Sequence, residues 1–572
     1  MNIFKNKASV KRRLFYFILI PLLACTQPLY AEPVVDQYWA RLLHAEDGVS
    51  HVVSPEFFIS NNGRFDIRAE QEAFVKALKS DDALQVACNF PARYKWIKSQ
   101  NFTDVQIDLN ACGELTKFRN GFQRKDLYLG YITEFLDSPA SAFGHLMVVF
   151  HDSQKPMELA DVIHFAADSN KEKGLGYIAK GLSGGFSGYF VRDPFFQKSN
   201  EYLIVEQRAI HLLKIELTDE QIENLILHLY ELRKAEFKYY FIDENCAFQI
   251  ADLLNVAVPD KNYRMASRQA VLPIDVVRLN SDRISKRITY VPTHKRINEI
   301  ATKLRPAELT EVQAVIDQKI SPNPDSSDAV KELLALQYQY AFRRSRKPYP
   351  NHAEIDELDY IRSNSAIEVE DPLKKRASGV GISVGLLNSG AESGTRWEIA
   401  PLASANRTGA LVKESQLDVL STTIDYTNKY WELNELRLLK VASTPNALQF
   451  NSPWSWGVGL SINRYNSSRQ LAREFQIEMG KTYVLDRLRV ELAVGSGLQN
   501  LSSTKAYLYP KGVMLYQFSD VAELGVSVEQ KIFATEVYQM RSAFISLGNW
   551  MIRTNQLGSG HREHSFMYRI PI

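Results

Sequence analysis

The spacing of apolar residues changes its period near Ser378. Beyond that point apolar and small or polar positions alternate. "GVGISVGLL" sets Val380, Ile382, Val384 and Leu386 between small residues, and "WSWGVGLSIN" repeats the pattern with Trp454, Trp456, Val458, Leu460 and Ile462. "LRVELAVGSG" puts Leu488, Val490, Leu492 and Val494 on one face and Arg489, Glu491, Ala493 and Gly495 on the other. "HSFMYRIPI" carries the alternation through Phe566, Tyr568, Ile570 and Ile572. About a dozen such segments, parted by turn-like stretches such as "NSGAESG" and "QLGSGH", predict an antiparallel outer-membrane-type β-barrel of about 12 strands over residues 378–572. A soluble antiparallel sandwich alternates in the same way. Glycine and serine on the face opposite the apolar one favour the barrel, while Pro571 counts against a regular last strand.

Before Ser378 the rhythm is mixed. Residues 32–125 read as an accessory region, mostly helical: "DQYWARLLHAE" and "AEQEAFVKALKS" have helical spacing, and "FFIS" followed by "NNG" reads as a strand and turn. Residues 126–275 read as an α/β region. "LYLGYITEFLD", "HLMVVFH" and "LADVIHFAAD" are strand candidates, "KGLGYIAKGLSGGFSGYF" reads as a loop, and "YLIVEQRAIHLLKIEL" as one or two strands. "TDEQIENLILHLYELRKAEF" predicts a helix capped by Thr218, with Asp219 and Glu220 in its first turn and an apolar stripe of Ile222, Leu225, Ile226 and Leu229. A second helix follows "KYYFID" and opens at Cys246. Residues 276–377 read as a polar, helical connector ending in a linker.

The N-terminus changes the setting. Five basic residues and no acid precede an apolar run from Leu14 to Ala24, too short to span a bilayer, so residues 1–31 read as a secretory signal cleaved after Ala31. "LLAC" offers an alternative, a lipobox that would leave a lipidated Cys25. The whole chain carries +2, so without the signal it is near −3 and keeps no basic tract for nucleic acid. No other apolar stretch reaches transmembrane-helix length, so entry into a membrane would be by strands facing outer-membrane lipid.

Export makes the cysteines informative. Beyond Cys25 the chain has Cys88, Cys112 and Cys246. Cys88 and Cys112 lie in one compact segment and are natural disulfide partners, which leaves Cys246 as the odd thiol. A buried, inert cysteine is the ordinary alternative. The helix that follows Cys246 would aim backbone N–H groups and a positive dipole end at the sulfur, activating it and offering donors for an oxyanion. A base is needed as well. His145 opens a strand directly after "SPASAFG", where Gly144 would help present its ring. His164 lies in a second strand and is its orienter or alternate, His151 is expected to be solvated, and His211 and His228 to be structural. Two other chemistries compete. His145, His164 and Cys246 are also zinc-ligand residue types, although no tight metal-ligand spacing is present. "GLSGG" matches Gly-x-Ser-x-Gly with Ser183 at the nucleophile position, but the loop-like sequence after it does not suit a nucleophile elbow. No cofactor is expected.

The stretch "SPASAFGHLMVVF … HFAAD … KGLSGGFSGYF … FKYYFIDENCAFQIADLL", with "FFIS…CNFPARYKWI" before it, resembles the Lnb-type N-terminal periplasmic domain family of Gram-negative bacteria over about residues 35–275. That family resembles circularly permuted papain-like folds, the group of NlpC-type peptidases and lecithin-retinol acyltransferase, in which histidine precedes cysteine. The resemblance implies an α+β permuted papain-like domain with Cys246 as nucleophile and His145 as general base, with His164 near the place of a third polar residue. Asn245 and Ser141 stand at motif positions, where each also reads as a turn or capping residue. The expected substrate bond is an amide in peptide, peptidoglycan stem or lipoprotein, with a lipid ester or thioester as the variant. The alternative is a non-catalytic outer-membrane scaffold or pore whose periplasmic domain binds a partner.

Overall fold

A computed structural model of the chain describes residues 34–345 and 379–570, apart from 123–125, 134–143, 169–179, 182, 241–243, 260–271, 390–391, 404–414, 448–453, 465–469, 501–502, 520 and 559–560. The signal segment with Cys25 and Ala31, Ser141 and residues 346–378, which include the linker-like end of the connector, lie outside the described residues. The chain divides into two units, one of residues 1–130, 146–198 and 212–287, the other of residues 131–145, 199–211 and 288–572.

The first unit opens with the helix Val34–Leu42 and a short hairpin, β1 (Ala45–Glu46) and β2 (Val49–Ser50). Asp47 and Gly48 turn it with φ of 50° and 80°, the left-handed pair that a two-residue hairpin loop requires. The helices Ile67–Ala77, Ala83–Asn89, Pro91–Ser99 and Gly113–Asn120 follow, and the Cys88–Cys112 disulfide, with Cα atoms 5.4 Å apart, ties the second of them to the start of the fourth. Asp66 caps Ile67–Ala77 by accepting from the N–H groups of Arg68 and Ala69.

Seven strands form the α/β sheet: β3 (Asp126–Ile132), β4 (His145–His151), β5 (Asp161–Asp168), β6 (Phe186–Pro194), β7 (Ile210–Ile215), β8 (Phe237–Tyr239) and β9 (Ile284–Tyr290). Their order is β8-β6-β5-β4-β3-β7-β9. After its first residue β3 is buried at every position, as is β4, the pattern of a strand covered on both faces. The helix Asp219–Leu232 starts at the predicted cap Thr218, which forms a capping box with Gln221, each side chain bonding the other's backbone N–H.

Several expectations are corrected. The glycine-rich stretch read as a loop ends in the first half of β6, where Gly188 lies so close to Phe165 that a Cβ would fall 2.4 Å from the ring. The apolar run 202–205, read as strand, lies in a helical turn, Glu201–Val205. "FFIS" overlaps a 3-10 turn, Pro55–Phe57. Ile284–Tyr290, in the region read as helical, is the outermost strand of the sheet.

In the second unit the helices Thr293–Lys303, Pro306–Ile316 and Asp328–Ser345 share an apolar core that includes Ile297, Val312, Val315, Val330 and Leu333. Twelve antiparallel strands, from Gly379–Ser389 to His561–Ile570, form a closed barrel, and those first and last strands pair from Ile382↔Ile570 to Ser389↔Glu563. Its outer face is apolar and exposed: Val494 is 63% exposed, while Arg489, one strand-face away, is 2% exposed in the lumen. Exposed Tyr430, Trp431 and Trp550 sit at strand ends, as an interfacial aromatic girdle requires.

Candidate active site

Cys246 is the first residue of the helix Cys246–Ala257. It is 2% exposed and stands outside any disulfide. Asn245 caps the helix: its Oδ1 accepts from the N–H groups of Ala247 and Phe248, each at 3.0 Å. This corrects one expectation. Two first-turn N–H groups expected to face an oxyanion are held by Asn245 instead, so Asn245 acts as the cap that fixes the cysteine turn.

The helix packs on the long helix Asp219–Leu232 and on β5. It is buried along its whole length, yet carries Gln249, Asp252 and Asn255 at three-residue intervals beyond Cys246. Buried polar groups need partners. Asp252 has one: its Oδ2 lies 3.3 Å from His44 Nδ1, and His44 Nε2 lies 3.0 Å from His228 Nε2. Burial, followed by the charges of His44 and Arg93, holds His228 well below the ordinary imidazole range.

His145 is the first residue of β4 and is half-buried, its ring 6.1 Å from that of Tyr202. Gly144 before it adopts φ 95°, and a Cβ there would meet the Ile132 carbonyl at 2.7 Å, so only glycine delivers the chain into β4 this way. His164 lies in β5 with Nε2 2.8 Å from Asp193 Oδ2 on β6, and Lys198 Nζ lies 3.4 Å from the same oxygen. The burial of Asp193 is outweighed by His164 and Lys198, and its carboxyl titrates below the usual range. His151 is not solvated: it is 7% exposed and its Nε2 bonds the Lys155 carbonyl at 2.9 Å. His211 meets Thr289 Oγ1 at 3.1 Å and stacks on Tyr131.

Ser183 donates to the Lys180 carbonyl, and the chain after it enters the strand β6 rather than the helix an elbow requires. Among the described residues no group of three His, Cys, Asp or Glu side chains is placed to hold a metal ion. His44 and His51 escape the sequence reading as site residues; the Asp47-Gly48 turn is the available signal that a hairpin carries them.

The barrel lumen holds the other concentration of polar groups. Arg396 grips Asp425 with two bonds of 2.7 Å and Glu563 with one of 3.2 Å. Lys531 Nζ and the Tyr507 hydroxyl both reach Glu474, each at 2.6 Å, and Lys511 reaches both oxygens of Glu478 at 2.8 and 3.0 Å. Arg553 pairs with Glu398, and Arg437 with Asp418 and Glu435. A cavity of about 730 Å³ remains between them.

Residues 114–283 match the Lnb N-terminal periplasmic domain. Residues 34–100 and 404–558 match two domains of unknown function, DUF7843 and DUF7840. No curated protein matches the chain. Among solved structures the chain is similar to a KdgM porin (13% identity, 34% of this chain and 99% of that one, TM-score 0.23). It is also similar to a KdgM porin in complex with disordered oligogalacturonate (15% identity, 34% and 99%, TM-score 0.23). These values are too low to transfer a substrate. The periplasmic-domain match and the closed barrel with its apolar outer face support a location in the cell envelope.

Proposed function

We propose that this is an outer-membrane protein whose periplasmic α/β domain is a papain-like cysteine hydrolase, anchored by its barrel. The reading is carried by Cys246: a thiol outside any disulfide, at the first position of a capped helix, while the other two described cysteines, Cys88 and Cys112, are joined to each other. In this reading His145 takes the thiol proton, and Cys246 Sγ attacks the carbonyl carbon of an amide in an envelope peptide, peptidoglycan stem or lipoprotein. The protonated imidazole then gives its proton to the leaving amine, and water releases the acyl group from sulfur. His164, its ring fixed by Asp193, is the second imidazole of the proposal. The test is release of new amino groups from these three substrate pools by the full-length protein. Wild type is expected to release them, and Cys246→Ser and His145→Ala to lose at least about a hundredfold of the rate. Equal release by wild type and Cys246→Ser overturns the reading.

A second reading, a pore or scaffold, is narrowed by the lumen. Arg396, Glu474, Arg489 and Lys531 are each no more than 3% exposed, so paired side chains narrow the lumen around its cavity. The barrel of the proposal is an anchor with a narrowed lumen. Reconstituted into planar bilayers, it is expected to give no open-channel steps; regular steps would restore the pore.

A further inference from the structure

The hairpin near the N-terminus is bracketed by two histidines, and the chemistry proposed above uses neither. His44 points inward to Asp252 and His228, which anchors the hairpin in the core. His51 leaves the other end, its backbone N–H donating to the His44 carbonyl at 3.0 Å. Its Nδ1 lies 3.3 Å from Glu244 Oε1, and its ring meets Phe248 edge-on at 5.3 Å between centroids. Its Nε2 faces Glu46 Oε2 at 3.5 Å on the hairpin itself. Glu244 stands two residues before Cys246 and Phe248 two residues after it. One imidazole thus touches both flanks of the cysteine turn.

We propose that His51 is a positioning residue for Cys246. This rests on the reading of Cys246 as the nucleophile. A turn that enters a helix has few backbone bonds of its own and is a place where local opening begins. Asn245 fixes the helix side of this turn. His51 fixes the other side by holding Glu244, and its ring contact with Phe248 keeps the first helical turn at a set distance. The Phe248 contact would serve any flat apolar side chain. The Glu244 contact requires a donor at the Nδ1 position, and both partners are well shielded, with side chains 14% and 8% exposed. Reactive groups lose rate steeply when displaced by even about 1 Å, so a clamp on the nucleophile turn acts on chemistry without touching the substrate. The segment matching DUF7843 would then contribute to the site by delivering His51 to it.

The test follows alkylation of Cys246 by iodoacetamide in the full-length protein, read by intact mass from pH 5 to 8. The variants are His51→Ala, His51→Asn, which keeps a donor near Nδ1, and the isosteric Glu244→Gln. His51→Ala is expected to slow alkylation about tenfold at pH 6.5 and displace the pH profile, with His51→Asn restoring most of the rate. Glu244→Gln is expected to shift the profile in the same direction and carries the test if His51→Ala does not fold. Profiles that superimpose on wild type, with Cys246 still faster than in the unfolded chain, overturn the role of His51 alone. A wild-type Cys246 no faster folded than unfolded overturns the nucleophile reading and the role of His51 with it.

Discussion

In the first unit Arg93 is fully buried between two carboxylates, 3.1 Å from Glu231 and 3.3 Å from Glu70. It also donates to the Phe57 carbonyl at 2.8 Å and lies on the rings of Phe57 and Phe90. In the barrel, Arg396, Glu474, Arg489 and Lys531 are buried almost as deeply, but around a cavity and in overlapping pairs. The difference lies in what replaces a lost partner. Around Arg93 the carboxylates keep backbone N–H donors, Ile59 and Ser60 for Glu70 and Ala92 and Arg93 for Glu231, but the cation they share is Arg93, and the rings of Phe57 and Phe90 pack over its guanidinium. In the lumen Glu474 keeps the Tyr507 hydroxyl if Lys531 is removed, and the adjoining cavity has room for water. Buried charge therefore fixes one junction in the α/β unit, that between the N-terminal helices and the helix Asp219–Leu232. In the barrel it lines a lumen redundantly.

The largest effect expected from this contrast is at Arg93. Arg93→Met leaves Glu70 and Glu231 without their cation and should cost about 3–5 kcal/mol. The check is chemical denaturation followed through buried Trp39 and Trp96, with the barrel's heat-modifiable migration unchanged. Next comes the outer face, where Val494→Arg should cost about 2–4 kcal/mol at mid-depth of a bilayer, read as a lower temperature for loss of the folded gel form. No effect there would mean that this face does not meet lipid. Lys531→Met should cost less, about 1–2 kcal/mol in the same assay. A loss as large as that at Arg93 would break the contrast.

The smallest effect is a slope with pH. Buried His228 stays neutral in the fold, whereas in the unfolded chain it protonates below about pH 6.5. Its contribution is therefore complete above about pH 6.5 and is lost as pH falls toward the depressed folded value. Wild type should lose stability more steeply than His228→Gln below pH 6.5, by up to about 1.4 kcal/mol per pH unit. Glu231 works in the opposite sense. Burial pushes its carboxyl up to about 7 against the pull of Arg93, so its contribution fades as pH rises from about 4.5 to 7. Comparing wild type with His228→Gln cancels that shared contribution, and equal slopes would remove His228 from the account.

The barrel was the most legible part of the sequence because its period is two and its faces differ in chemistry. Val494 and Arg489 fall on the sides that the alternation assigned. The helix at Asp219 was legible for local reasons, its Thr218 cap and its apolar stripe. β6 was hidden because close approach to Phe165 favours glycine, which imitates a loop. Glu201–Val205 was hidden because a short apolar run has no period long enough to separate strand from helix. The cysteine turn was legible at Cys246 and Asn245. The partners His44 and His51 were not, because they come from about 200 residues upstream and carry no spacing signal; only tertiary packing brings them to the helix.

The central claim is that the fold makes Cys246 a nucleophile. It is tested most directly by the rate of iodoacetamide alkylation at Cys246 at pH 6.5, measured in the folded full-length protein and again after unfolding with the Cys88–Cys112 bond intact. The account predicts a rate at least about tenfold higher in the folded protein, despite the burial of the thiol. A folded rate equal to or below the unfolded one would contradict it.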